Sequence, residues 1–442
     1  MFYKLVSSIK QKLSNSVLQN ILLVGGITLI VKLISFYKET LIASYFGLSE
    51  LLDTYYIAIL IPSFIQNVFV GSLKNLFIPN YIIETKTTNN RKAFQTLTIL
   101  AILILTIILV LFALVFSEFF LESVFPEHSP QYYGLIRKQL YIALPCLFFW
   151  GLSSLLSGLL EIEGYFLISN LSQLFTPLTI IVCLFFFAST FGDYTLVVGL
   201  LLGSIFNFFY LLLFTINKKS LYLGEISINT NMQMMMRQYS PKVISGLLTG
   251  INPFVDQFFA AQLVIGSIAA INYGIKIPTF IVGIALVAFG NVLLPHFSKL
   301  ITEDIQKAFI QLKKILIILF LISSLFAIVA IFFSSDIVRI LFERNQFNSG
   351  NTFVVSNLQK ISLANVPFYL CTLISVYFLT ALNKNRFMAW ISLFNLVLNL
   401  FLNFFLVKKL GVYGLAWSTT IVYFISNAFF MIFIYKQFKR AI

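Results

Sequence analysis

The sequence predicts an all-α polytopic membrane protein of about twelve transmembrane helices, arranged as two six-helix lobes related by a pseudo-two-fold axis along the membrane normal. Three observations carry that prediction. First, 59% of the 442 residues are hydrophobic and only 10% are charged, with a mean hydropathy of +0.94. A soluble domain of this length needs far more charged surface. Second, apolar runs of about 20 residues, enough to cross a bilayer as a helix, recur along the whole chain. Third, the chain repeats its own anchors.

Hydropathy and helix breakers place the spans at 17–46, 52–83, 92–119, 132–160, 165–190, 194–217, 237–263, 266–296, 309–334, 355–383, 386–406 and 411–437. Residues 1–16 alternate Lys4, Lys10 and Lys12 with Phe2, Leu5, Ile9 and Leu13 at helical spacing. They read as an amphipathic segment on the membrane surface, not as a signal peptide. Residues 17–217 form the N-lobe, the polar, Met-rich stretch 218–236 a cytoplasmic linker, and 237–442 the C-lobe.

With the N-terminus inside, nineteen of the 30 lysines and arginines fall in cytoplasmic segments and seven in outer ones, with Glu118, Glu122 and Glu127 clustering outside. The positive-inside rule thus accounts for the net charge of +14 and leaves no need for a nucleic-acid partner. It puts both termini in the cytoplasm; the protein is further expected to be a monomer of a bacterial inner membrane. Lys408 and Lys409 run against the pattern.

The repeat is read from breakers. Ile61-Pro62-Ser63-Phe64-Ile65 returns as Ile277-Pro278-Thr279-Phe280-Ile281, and a second proline follows seventeen residues on in both copies, at Pro79 and Pro295. Asn75 matches Asn291 in that frame, Pro145 and Pro367 each precede an aromatic (Tyr165, Phe387) by twenty positions, and Gly192 with Tyr194 matches Gly411 with Tyr413. An even number of spans per copy inserts both copies the same way and leaves a cavity between lobes. The prolines Pro62, Pro79, Pro278 and Pro295 are candidate hinges, with static kinks as the equal alternative.

Chemistry is bounded by what is missing. No phosphate-binding loop of the G-x-x-x-x-G-K-[ST] type occurs, and no His, Cys and carboxylate cluster has metal-ligand spacing. Cys146, Cys183 and Cys371 sit in apolar runs as small core residues. The chain reads as no enzyme, with no cofactor or metal; if transport is active, Na⁺ or H⁺ is the coupling ion.

The informative residues are charges inside the spans: Lys32, Lys38, Glu39, Lys74, Asp256 and Lys276. A lysine at mid-bilayer costs about 2.5–3.5 kcal/mol, so four would cost on the order of 10 kcal/mol unless they meet water, a partner charge or a ligand. Snorkelling is the alternative for Lys38 and Lys74, and an ion pair with Asp53 a further one for Lys38. The functional reading is a wet, net-positive cavity for an anionic headgroup such as a diphosphate, which suits lysine as a point charge. Glu39 and Asp256 stand four residues before Ala43 and Ala260 and are candidate proton or cation sites. Asn395 and Asn399, one helical turn apart, could add oxygen ligands beside Asp256; hydrogen bonds between helices are the alternative.

At these residues the sequence resembles the MurJ/MviN family, the lipid II flippases of the multidrug/oligosaccharidyl-lipid/polysaccharide exporter superfamily. The resemblance rests on Val31-Lys32 through Lys38-Glu39, Ala43, Phe46-Gly47, Asp53-Thr54-Tyr55, Pro62-Ser63 and Phe77-Ile78-Pro79. It continues in Tyr273-Gly274-Ile275-Lys276 and in Leu293-Leu294-Pro295-His296-Phe297-Ser298. It implies that Lys32, Lys38 and Lys276 stand where the family carries arginines that meet the lipid diphosphate, that Asp53 is its acidic position, and that Asp256, Asn395 and Asn399 fall near a sodium site of some members. Three features depart from the family pattern: lysine replaces each cavity arginine, Gln66-Asn67 replaces an arginine pair, and hydropathy supplies twelve spans where the family usually has fourteen helices. The expected activity is flipping of a polyprenyl-diphosphate saccharide, lipid II or a surface-polysaccharide unit, among membrane lipids. A cation-coupled exporter of the same superfamily and a non-transporting scaffold are the competing expectations.

Overall fold

The computed structural model describes residues 16–87, 90–124 and 128–441. The expected amphipathic segment at the N-terminus lies outside them. Among the described residues the chain is helical throughout, apart from an isolated bridge between Arg344 and Phe347. The helices are α1 (Ser16–Phe46), α2 (Glu50–Ile65), α3 (Gly71–Thr87), α4 (Arg91–Val124), α5 (Pro130–Ala143), α6 (Cys146–Ile162), α7 (Phe166–Leu171), α8 (Phe175–Phe186), α9 (Ala188–Phe191) and α10 (Thr195–Asn217). They continue as α11 (Thr230–Gly250), α12 (Asn252–Ala261), α13 (Ser267–Gly274), α14 (Lys276–Glu303), α15 (Ile305–Phe332), α16 (Ser334–Phe342), α17 (Ser349–Ala381), α18 (Asn385–Leu410) and α19 (Val412–Ala441).

Ten stretches among the described residues are long and apolar enough to cross a membrane. The expected spans 17–46 and 237–263 are helical but are not among the ten. The second is divided into α11 and α12, with Arg237 and Lys242 in α11. The large apolar side chains left outward on α4 and α15, such as Phe119, Leu321 and Phe332, suit a lipid solvent.

The helices group into two compact units. One holds residues 16–41, 57–122 and 129–246; the other holds 42–56, 123–128 and 247–442. In the first, Phe77 stacks on Tyr81 with ring centroids 5.2 Å apart, and both meet Phe94 among Leu73, Leu155, Leu159, Met232 and Met235. Helices α8 and α10 touch at small residues: a Cβ on Gly203 would lie 2.5 Å from Thr176 Cα, and Thr179 Oγ1 donates to the Gly199 carbonyl at 2.8 Å. Close backbone approach through glycine, with a hydroxyl bridging the helices, is how association is won in lipid, where burying apolar surface gains little. The second unit centres on Phe297, Phe309 and Phe378, packed edge to face with Leu312, Ile374, Leu379 and Phe430.

Turn chemistry sets the helix ends. Ser129, Asp304 and Asn348 accept from the backbone N–H three residues on, and Pro130 follows Ser129 at the first helical position. Of the four candidate hinge prolines, Pro62, Pro79 and Pro295 lie inside helices. Pro278 is instead the third residue of α14, in the first turn, where its missing N–H costs no helical bond. Past Pro62 the helix widens into a π-turn, Gln66–Val70, which no sequence signal announced. Proline cannot donate to the ladder, and the bulge re-aims everything from Gly71 onward.

Candidate functional site

Helix α1 carries Lys32 and Lys38 half-buried in the first unit. Lys38 Nζ lies 2.8 Å from Glu39 Oε1, and the two side chains are only 18% and 13% exposed. The ion pair considered between Lys38 and Asp53 does not form. Asp53, 4% exposed, is committed elsewhere: its Oδ2 accepts from Gly266 N at 2.6 Å and its Oδ1 from Ala269 N at 2.8 Å.

Those bonds cap α13, whose first amides have no partner within the helix. Gly266 enters α13 with φ of +89°, a left-handed backbone that glycine adopts without strain, and a Cβ there would meet the Leu48 carbonyl at 2.6 Å. Helix α13 is only eight residues long, and Lys276 opens the next helix after the Ile275 break. Asp53 therefore fixes the element that carries Lys276 to its place. The same stretch, 42–56, is tied to the 343–348 turn of its own unit: Asn345 Nδ2 donates to Ser44 Oγ at 2.7 Å and Gln346 N to the Ser44 carbonyl at 3.1 Å.

Lys74 does not merely snorkel. Its Nζ stands 3.6 Å from Glu161 Oε1 and 3.4 Å from Ser157 Oγ, and Glu161 also accepts from Ser157 and Ser169 at 2.7 Å each. One carboxylate thus joins α3, α6 and α7 through a lysine and two hydroxyls. Farther along, Glu84 is fully buried and accepts from Asn229 and Asn231, which fastens the segment before α11 to α3.

In the second unit, α12, α18 and α19 build a polar centre around Asp256. Asn403 Nδ2 donates to Asp256 Oδ1 at 3.0 Å and to Asn399 Oδ1 at 3.1 Å, and Thr419 Oγ1 reaches Asp256 Oδ2 at 3.4 Å. Asn399 and Asn403 are buried. Asn395, one turn before Asn399, turns its amide to Ser426 Oγ at 3.0 Å instead. The Oδ1 atoms of Asn395 and Asn403 are buried with no donor. Sequence reasoning picked Asp256, Asn395 and Asn399 but missed Asn403 and Thr419. The Asn395, Asn399, Asn403 series at four-residue spacing was the signal that could have found Asn403. One carboxylate bonded to an amide and a hydroxyl, with the donor-less Oδ1 of that same Asn403 amide, could offer oxygens to a hard cation. No group of three or more His, Cys, Asp and Glu that could hold a metal ion occurs among the described residues.

Over 439 residues the chain is 28% identical to the probable lipid II flippase MurJ of Buchnera aphidicola subsp. Schizaphis graminum, covering 97% of this chain and 84% of that one. It is 26% identical over 430 residues to the lipid II flippase MurJ of Thermosipho africanus, covering 96% and 86%. In structure it matches a lipid II flippase MurJ in an inward closed conformation with a TM-score of 0.81 at 23% identity, over 95% of this chain and 90% of the other. An inward-facing multidrug resistance MATE family transporter of the MOP superfamily matches at 0.75 and 13% identity, over 94% and 98%. At those identities the structural likenesses establish the fold. The sequence profile of the family described as lipid II flippase MurJ spans residues 42–442, nearly the whole chain, and the chain belongs to that family.

Proposed function

We propose that the chain carries a polyprenyl-diphosphate-linked saccharide, lipid II or a related cell-surface precursor, from the cytoplasmic to the outer leaflet of a bacterial inner membrane by alternating access. The observation that carries this reading is the family match across residues 42–442 in a chain that keeps cations at Lys32, Lys38 and Lys276. A diphosphate would meet these cations through charge-assisted hydrogen bonds. Pro62, Pro79 and Pro295, which lie inside helices, would be the bend points of the alternating-access movement. Asp53 acts through Lys276 in this account, as a positioning residue.

A cation is the proposed coupling partner, held by Asp256 with Asn399, Asn403 and Thr419, and Asn395 near by. When bound it would supply the charge that lets the Asp256 carboxylate stay ionised in the membrane; a proton on Asp256 would serve the same end. Asp256→Asn should abolish sodium-dependent transport at least about tenfold while leaving the folded yield unchanged, since Asn still accepts from Asn403. Unaltered sodium dependence in the variant would remove the site.

Depletion of the protein in its native host, followed by mass analysis of lipid extracts, tests the substrate. A polyprenyl-diphosphate saccharide should accumulate on the cytoplasmic side, and its mass identifies the sugar. Unchanged lipid-linked pools would instead favour an exporter of small molecules.

A further inference from the structure

We propose that the groove between α15 and α19 binds an anionic glycerophospholipid, one acyl chain lying in the groove and the phosphate resting on Lys313 and Lys314. The groove has a volume of about 570 Å³, within the range of ligand sites. Leu312, Leu316 and Ile434 form its buried floor, and Phe309 and Phe438 meet across it with ring centroids 5.3 Å apart. Lys313, Lys314 and Tyr435 are the polar residues on its wall.

The charges decide which occupant fits. Two other lysines on this stretch are neutralised by their own helices: Lys299 Nζ stands 3.7 Å from Glu303 and Lys307 Nζ 3.0 Å from Asp304. Lys313 and Lys314 form no ion pair among the described residues and lie more than two turns into α15, on its cytoplasmic side by the charge pattern. A headless diacylglycerol would leave both ammonium groups uncompensated. A zwitterionic lipid would bring its own cation against them. An anionic headgroup compensates both, as basic pockets between transmembrane helices do for acidic lipids. The lysine stems meanwhile extend along the apolar wall. None of the lining residues belongs to the substrate or cation sites above, so this site is independent of the translocated cargo.

Native mass spectrometry of the delipidated full chain tests it, with dioleoylphosphatidylglycerol, dioleoylphosphatidylcholine and dioleoylglycerol as probes. One phosphatidylglycerol per chain should bind at least about fivefold more tightly than the other two. Lys313→Gln with Lys314→Gln should erase that preference, the Arg pair should keep it, and the control pair Lys299→Gln with Lys307→Gln should leave it unchanged. Ile317→Trp, which fills the groove from its exposed wall, should weaken all three lipids. Equal binding of the three lipids to the unaltered chain would overturn the proposal. So would a preference that survives the double Gln variant or is lost equally in the control pair.

Discussion

At the scale of single residues, the charges that hydropathy marks as anomalous were legible from sequence, but their partners were not. Lys74 shows why. Its position in an apolar run is visible, but Glu161 lies 87 positions away and becomes its partner only when α3 packs on α6. The pair is nearly one-third exposed at each end, so its worth is discounted toward that of a surface bridge. Lys74→Ala should destabilise the folded chain by about 1 kcal/mol, leaving Glu161 to its two serines. Glu161→Gln should restore most of that loss in the double variant. Thermal unfolding in detergent measures both, and additive losses would show that the two residues do not interact. Asp53 was equally visible as an acidic residue, whereas its role was not, because backbone amides leave no mark in a sequence. Asp53→Ala removes a helix cap and should cost about 1 kcal/mol. Its sharper signature is expected at Lys276: transport should fall while hydrogen exchange rises at residues 266–274, and normal exchange there would mean Asp53 does not hold α13.

At the scale of elements, apolar runs and breakers read well wherever one helix equals one span. The reading weakened where a span is built in pieces. Residues 237–263 look like one span from composition, but Gly250, Ile251 and Asn252-Pro253 end α11 and start α12. Likewise Pro62 was seen, while the π-turn beyond it depends on how α2 and α3 pack and escaped notice. Helix caps follow local rules and are testable outside the membrane. The Lys307 backbone N–H bonds Asp304 at 2.9 Å and holds its carboxyl below the usual carboxylate range. A lowered folded-state value means the cap's contribution is complete above the unfolded value of about 3.9 and fades as pH falls through the lower, folded one. Amide exchange in the first turn of α15 should therefore stay flat from pH 7 to 5 after correction for intrinsic rates, and rise as the solution becomes strongly acidic. Asp304→Asn should remove the pH step while keeping the cap. A step that persists in the Asn variant would assign it to another group.

At the scale of the whole molecule, fold class was legible because lipid leaves few architectures open, and family because the motifs around Asp53 and Lys276 resemble its pattern. The cation centre was only half legible: Asp256 and Asn399 meet, Asn395 faces Ser426, and Asn403 supplies the bond to Asp256. The proposed translocation requires Lys32, Lys38 and Lys276 each to meet the diphosphate of the cargo. The direct measurement is leaflet transfer of a fluorescent polyprenyl-diphosphate saccharide in proteoliposomes, comparing the unaltered chain with Lys32→Ala, Lys38→Ala and Lys276→Ala. Each substitution should slow transfer at least about tenfold, the loss of one charge-assisted contact, and the amount of each variant inserted is measured alongside. Lysine-to-arginine variants should retain transfer. Transfer at the unaltered rate in all three alanine variants would contradict the account.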